Sequence, residues 1–278
     1  MKNITVLLVA TGLIMIAIFL QRSGTKTEPL PRPDYQNISY KIDGQQILLT
    51  KGVAENELAP GSAAKKITRY FGNLAEGDLN SDDKNDVGLI LTQENGGSGI
   101  FYYAVVATKT NQGYAGSNAI FLGDRISPQS TSINNNVLIV NYADRDINEP
   151  MTTNPSIGKS KYLEIRNGIL SEAPIFVESP EKNSTLVSPL NISGVAKGSW
   201  FFEASFPLLL VDEQGKILAQ SHATAKGKWM TPDYVGFSGT LTFAEPTQET
   251  KARLILKKDN PSGLAEHDDA REIPVWLR

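Results

Sequence analysis

Cysteine is absent from all 278 residues, and histidine occurs only twice, as His222 and His267. Without a thiol the chain makes no disulfide, no thiolate zinc site and no Cys–His nucleophile pair, and it has no cysteine to carry the lipid of a bacterial lipoprotein. No disulfide therefore staples the fold. A length of 278 residues permits this, since it accommodates one large or two ordinary domains with cores of their own. An excess of one charge is also lacking: the formal net charge is −3. That leaves no basic footprint, and no nucleic-acid partner is expected. No period repeats along the chain, which argues against a solenoid or a multi-bladed propeller.

Catalytic constellations are equally scarce. Gly97-Ser98-Gly99 lacks the spacing of a nucleophile elbow, because Ile100 stands where the last glycine belongs. Glu203 lies in an aromatic stretch where burial would raise its pKa, yet strand alternation equally allows it to face solvent. Acid–base work would need a second carboxylate, such as Asp212, converging with it in a cleft. No catalytic residue is assigned on the sequence, and the chain is expected not to be an enzyme.

One long hydrophobic run is present, at the N-terminus. From Ile4 to Leu20 the chain is almost wholly apolar, with Lys2 before it and Gln21-Arg22 after it. As a helix rising about 1.5 Å per residue it would be roughly 25 Å long, close to the hydrocarbon thickness of a bilayer. Residues 1–22 are expected to be a single-pass anchor in the cytoplasmic membrane, with the folded mass outside. A cleaved signal peptide is the alternative: Phe19, Leu20 and Gln21 fit a cleavage site poorly, whereas Ser23-Gly24 fits better. Residues 23–36 follow as a linker in which Pro29, Pro31 and Pro33 favour an extended, semi-rigid conformation.

Residues 37–173 are expected to form a β-rich domain. Candidate strands are Ser39–Ile42, Gln46–Thr50, Val87–Thr92, Phe101–Ala107, Ala119–Leu122, Val137–Tyr142 and Tyr162–Ile165, with Asp43-Gly44 and Asn167-Gly168 as tight hairpin turns. For Ala63–Phe71, behind Ser62 as a candidate N-cap, a short helix is an open alternative to strand.

The segment Gly77-Asp78-Leu79-Asn80-Ser81-Asp82-Asp83-Lys84-Asn85-Asp86 sets oxygen side chains at loop positions 1, 3, 5 and 9. Asp78, Asn80, Asp82 and Asp86, with the carbonyl of Lys84, are thus candidate ligands for a hard cation, Ca²⁺. The loop resembles the calcium loop of integrin-type β-propeller repeats. It departs from an EF-hand at position 12, where Leu89 replaces glutamate, and at position 6, where Asp83 replaces glycine. Asx side chains also close β-turns on their own backbone, so an Asx-rich turn is the alternative account.

In residues 174–278 short apolar segments recur about every ten residues, separated by turn formers such as Ser179-Pro180, Glu213-Gln214-Gly215 and Pro261-Ser262-Gly263. That spacing predicts a β-sandwich of about seven strands. The run Trp200-Phe201-Phe202-Glu203-Ala204-Ser205-Phe206-Pro207, with Trp229-Met230-Thr231, Asp259-Asn260-Pro261-Ser262-Gly263 and Ile273-Pro274-Val275, resembles the immunoglobulin-like domain first associated with bacterial spore-germination proteins. The resemblance implies an immunoglobulin-like sandwich and a cell-envelope setting, and it implies no ligand or reaction. Trp200 or Phe202, together with Phe206, Leu210 and Leu254, are expected in the core; a carbohydrate-stacking role for Trp200, Phe201 and Trp229 is the competing reading.

The sequence therefore reads as a mainly β protein: an N-terminal transmembrane helix, a β-rich middle domain and a C-terminal immunoglobulin-like sandwich. The expected function is non-enzymatic presentation of binding or assembly modules outside the membrane, to an envelope protein or glycan partner. The alternatives are a secreted calcium-dependent adhesin and an envelope hydrolase using carboxylates.

Overall fold

A computed structural model describes residues Asp34–Arg278. The expected membrane segment and nearly all of the linker lie outside the described residues. The linker's last residues, Asp34–Gln36, form a single 3₁₀ turn that already belongs to the fold, because Tyr35 is buried.

The strands of the middle region are β1 (Ser39–Ile42), β2 (Gln45–Leu48), β3 (Val53–Glu57), β4 (Lys65–Gly77), β5 (Asp86–Glu94), β6 (Phe101–Thr110), β7 (Gly113–Gly116), β8 (Ile120–Asp124), β9 (Ser127–Asn134), β10 (Val137–Asp144), β11 (Ile157–Arg166) and β12 (Ile169–Glu172). β1 and β2 form a two-residue hairpin through Asp43-Gly44, at φ 49° and 82°. Asn167-Gly168 joins β11 to β12 in the same way, at φ 53° and 75°. Both are the positive-φ pairs that match strand twist in a tight hairpin.

The middle sheet runs β3-β4-β5-β6-β7, with β8 also paired to β6, and a second sheet runs β12-β11-β10-β9. β5 is buried at eight consecutive residues, Asp86 to Gln93, because both of its faces are covered. On one side Val87, Leu89 and Leu91 share a core with Tyr40, Ile42 and Ile47 of the β1–β2 hairpin. On the other, Ile90, Ala104 and Val106 pack against Leu138, Val140, Leu163 and Leu170 of the second sheet. The layers meet so closely at Gly88 that a Cβ there would lie 2.3 Å from Leu138 Cδ1.

The alternative of a helix over Ala63–Phe71 is not realised. Those residues lead into β4, a strand of 13 residues. Ile67, Thr68 and Tyr70 favour extended backbone, and hydrogen-bonded neighbours on both sides, β3 and β5, outweigh a marginal nine-residue helix.

The C-terminal region contributes β13 (Ile175–Ser179), β14 (Thr185–Leu186), β15 (Leu190–Lys197), β16 (Ser205–Asp212), β17 (Ile217–Ala225), β18 (Tyr234–Leu241), β19 (Thr250–Lys257) and β20 (Ala270–Leu277). They are hydrogen-bonded in the order β13-β15-β18-β17-β16-β19-β20-β14, closed at one end by the parallel pair β14–β20. β15, β16, β19 and β20 alternate buried and accessible residues, so one face of the sheet folds over a single core.

Trp200, Phe206, Leu210 and Leu254 are all in that core, as expected, and Phe201 joins them while Phe202 is exposed. Phe206 is the hub, with its ring centroid 5.0 Å from that of Phe237 and 6.3 Å from that of Trp200. Trp200–Phe206 is not one strand. Gly198–Trp200 is a 3₁₀ turn, and Glu203 and Ala204 make a left-handed turn at φ 48° and 62° before β16 begins. Gly198 is required by contact, since a Cβ there would meet the carbonyls of Thr231 at 2.0 Å and Trp229 at 2.2 Å.

Candidate functional site

The loop between β4 and β5 is closed by its own acidic and amide side chains. Asp78 Oδ1 accepts from the amides of Ser81 (2.6 Å) and Asp82 (3.2 Å), Asn80 Oδ1 accepts from the Asp82 amide, and Asp82 Oδ1 accepts from the Lys84 amide. Ser81 and Asp83 adopt φ 64° and 59°. Asp86 is turned inward and fully buried, with one oxygen on the Leu79 amide at 3.0 Å and the other on the Lys109 amide at 2.8 Å. Burial raises the Asp86 pKa, with the charges of Asp82 and Asp78 adding to it.

The place of a cation beside Asp78 is taken by a side chain from the C-terminal region. Lys182 Nζ lies 3.1 Å from Asp78 Oδ2. Burial alone would raise the Asp78 pKa, but the Lys182 ammonium and two amide bonds hold it below its ordinary value. Among the described residues no three His, Asp or Glu side chains are grouped so as to hold a metal ion.

Lys182 is one part of a broad junction between the two regions. The β9–β10 hairpin turns through Asn135-Asn136, at φ 48° and 60°, and points at β13. The buried Asn135 amide donates to the carbonyls of Val177 (2.8 Å) and Pro180 (3.0 Å), while its oxygen accepts from the Lys182 amide at 2.6 Å. Asn136 Nδ2 donates to the Asp78 carbonyl at 2.6 Å, which ties the acidic loop to the same turn. Beside it Val137, Ala173 and Phe176 form a small apolar core with Tyr162 and Val195, in which the Tyr162 and Phe176 rings stack at 5.2 Å. Tyr234 Oη donates to the Ala173 carbonyl at 2.6 Å.

Charged groups frame this core. Glu164, almost fully buried, is bound by Arg271 and by Arg166, the latter at 2.8 Å, and Arg166 also reaches Asp269 at 3.1 Å. Glu172 lies between Lys161 and Lys197. Burial would raise the Glu172 pKa, but these two ammonium groups lower it.

Next to the junction, a cleft of about 630 Å³ opens on the outer face of β19 and β20. Its floor is Pro274 and Trp276, which point outward because Val275 and Leu277 point into the core. Lys251, opposite Trp276 in register, holds its ammonium 5.2 Å from the indole centroid. The rim carries Glu213, Asn183 and, from the acidic loop of the middle region, Asp83.

Residues 174–263 match the family model of the immunoglobulin-like domain of bacterial spore germination. No curated protein and no solved structure matches the chain. The match ends before β20, yet β20 completes the sheet of the matched segment by pairing with both β19 and β14. It also supplies Trp276, and Arg271 of the junction.

The structure separates Glu203 from Asp212, the carboxylate pair considered for a hydrolase. Glu203 stands before the first residue of β16 and Asp212 is its last, an eight-residue strand apart, more than about 20 Å at the usual rise. Glu203 is exposed, and Asp212 closes a turn by accepting from the amides of Gln214 and Lys216. His222 and His267 are exposed at separate positions. Trp200 and Phe201 are core residues and Trp229 packs half-buried against that core, whereas Trp276 on β20 points outward. The alternation in Ile273-Pro274-Val275-Trp276-Leu277 was the sequence signal for it. Asn135 had no comparable signal, since its partners lie more than forty residues away.

Proposed function

We propose that this chain is a membrane-anchored protein of the bacterial cell envelope, which presents its β-rich body outside the cytoplasmic membrane for binding or assembly and does not act as an enzyme. The match of residues 174–263 to a spore-germination immunoglobulin-like domain carries this reading. The apolar run from Ile4 to Leu20 supports attachment, and the cleft beside the junction gives the body a place to hold a partner. Membrane fractionation tests the attachment: the protein stays with membranes through a high-salt wash, because a hydrophobic anchor is indifferent to screening. Full release by salt contradicts it. Intact-mass measurement of the exported protein distinguishes this anchor from a secreted, signal-cleaved adhesin.

Calcium on the Gly77–Asp86 loop is a second proposal, favoured by the oxygen spacing. A calcium ion reaching Asp78 must displace the Lys182 ammonium, which makes binding weak, about 10⁻⁴ to 10⁻³ M. A rise in melting temperature with millimolar calcium that disappears in Asp78→Ala supports the ion, and an unchanged melting temperature rejects it.

A further inference from the structure

We propose that the cleft over Trp276 is a binding site for a pyranose glycan, with residues from both regions of the fold. This deepens the binding role proposed above by assigning it a place and a ligand class. The cleft volume of about 630 Å³ is in the range of small-molecule sites. Its floor is lined by Trp276 and Pro274, and the indole face not taken by the Lys251 ammonium is an apolar surface of the kind on which the C–H face of a sugar ring rests.

The polar groups select hydroxyls over anions. Of the two cations present, Arg253 is neutralised by Glu272 at 2.7 Å and Lys251 lies on the indole. The carboxylates Asp83 and Glu213 enter no ion pair among the described residues, so the unspent capacity of the rim is hydrogen-bond acceptance. Sugar hydroxyls donate to such acceptors; an acidic peptide would be repelled. Asn183 adds an amide that both donates and accepts, held in place by its own N–H donating to the Pro274 carbonyl at 2.7 Å.

The site is composite. Asp83 comes from the acidic loop, and that loop is fixed against the C-terminal region by Lys182 on Asp78, while Asn136 of the adjoining β9–β10 turn holds the Asp78 carbonyl. Asp83 itself has left-handed backbone, φ 59°, and lines the rim. The junction therefore positions one wall of the cleft.

The test uses the full chain in a zwitterionic detergent, titrated with chitotetraose and with cellotetraose, and read by calorimetry and tryptophan fluorescence. Saturable binding of at least one tetrasaccharide is expected. Trp276→Ala should weaken it about tenfold, Trp276→Phe should retain most of it, and the pair Asp83→Asn, Glu213→Gln should weaken it about fivefold, with melting temperatures unchanged. No binding of either sugar up to about 10 mM overturns the site. So does binding that Trp276→Ala leaves intact, or binding of a hexaglutamate peptide that depends on Lys251. Because membrane fractionation is read separately, loss of glycan binding with attachment retained removes this site alone.

Discussion

The middle and C-terminal regions are both built from strands, with no helix beyond short 3₁₀ turns among the described residues, yet they bury their sheets in opposite ways. In the C-terminal region one folded sheet covers one core, and its strands alternate inward and outward residues. In the middle region β5 and β6 are covered on both faces, by the β1–β2 hairpin and by the β9–β12 sheet, and they read as continuous apolar runs. The difference decides what each region has left to offer. A one-sided sheet leaves an outer face on which Trp276 and Lys251 can line a cleft. A two-sided sheet has only its loops, which is where the middle region places Asp83 and Asn135.

The comparison breaks most sharply at Trp200. Trp200→Ala empties the largest fully buried side chain in the described residues and should cost about 3–5 kcal/mol by chemical denaturation. If the regions are coupled, the middle region loses stability with it; a middle-region probe that keeps the wild-type midpoint would uncouple them. A smaller effect is expected from the opposite kind of change in the two-sided sheet. Gly88→Ala forces a methyl toward Leu138 and should cost about 1–3 kcal/mol, whereas the same change at open, solvent-facing Gly158 should be nearly silent.

Asn135→Ala leaves the half-buried Lys182 amide and the buried Val177 carbonyl without their partner, and about 1–3 kcal/mol should be lost. Thermal melting checks this, and the loss should appear in both regions. Tyr234→Phe removes one hydrogen bond from the same junction and should cost about 1 kcal/mol.

The smallest effect is that of pH. Asp78 and Glu172 are both held below their ordinary pKa values, 3.8 and 4.5, so each ionised form is favoured by folding. Their contribution is present above those values and is lost as the pH falls through the lower, folded ones. Asp86 works the other way: its pKa is raised, so its cost is felt above 3.8 and is relieved as the pH falls. Melting curves taken from pH 6 down to pH 3 should therefore show Lys182→Met losing less than the wild type. Equal losses would remove Lys182 from the account.

Much of the fold was legible in the residues because burial writes a pattern. Ser39–Ile42, Val87–Thr92 and Val137–Tyr142 are apolar or alternating and lie within strands as expected. Asp43-Gly44 and Asn167-Gly168 mark their hairpins because positive φ is cheapest for those residues. What was illegible depended on partners distant in sequence. β4 left a helix open because its stability comes from β3 and β5, and polar β9, Ser127–Asn134, gave no periodic signal because it is fixed by pairing with β10. The oxygen spacing of Asp78, Asn80, Asp82 and Asp86 was plain, but Lys182, a hundred and four residues from Asp78, was not.

The central claim is that the two regions form one body, so that Asp83 and Trp276 can share a cleft. Differential scanning calorimetry of the full chain tests it most directly. A single cooperative transition is predicted, at a temperature that Asn135→Ala lowers as a whole; two separate transitions, with Asn135→Ala shifting only one of them, would contradict it.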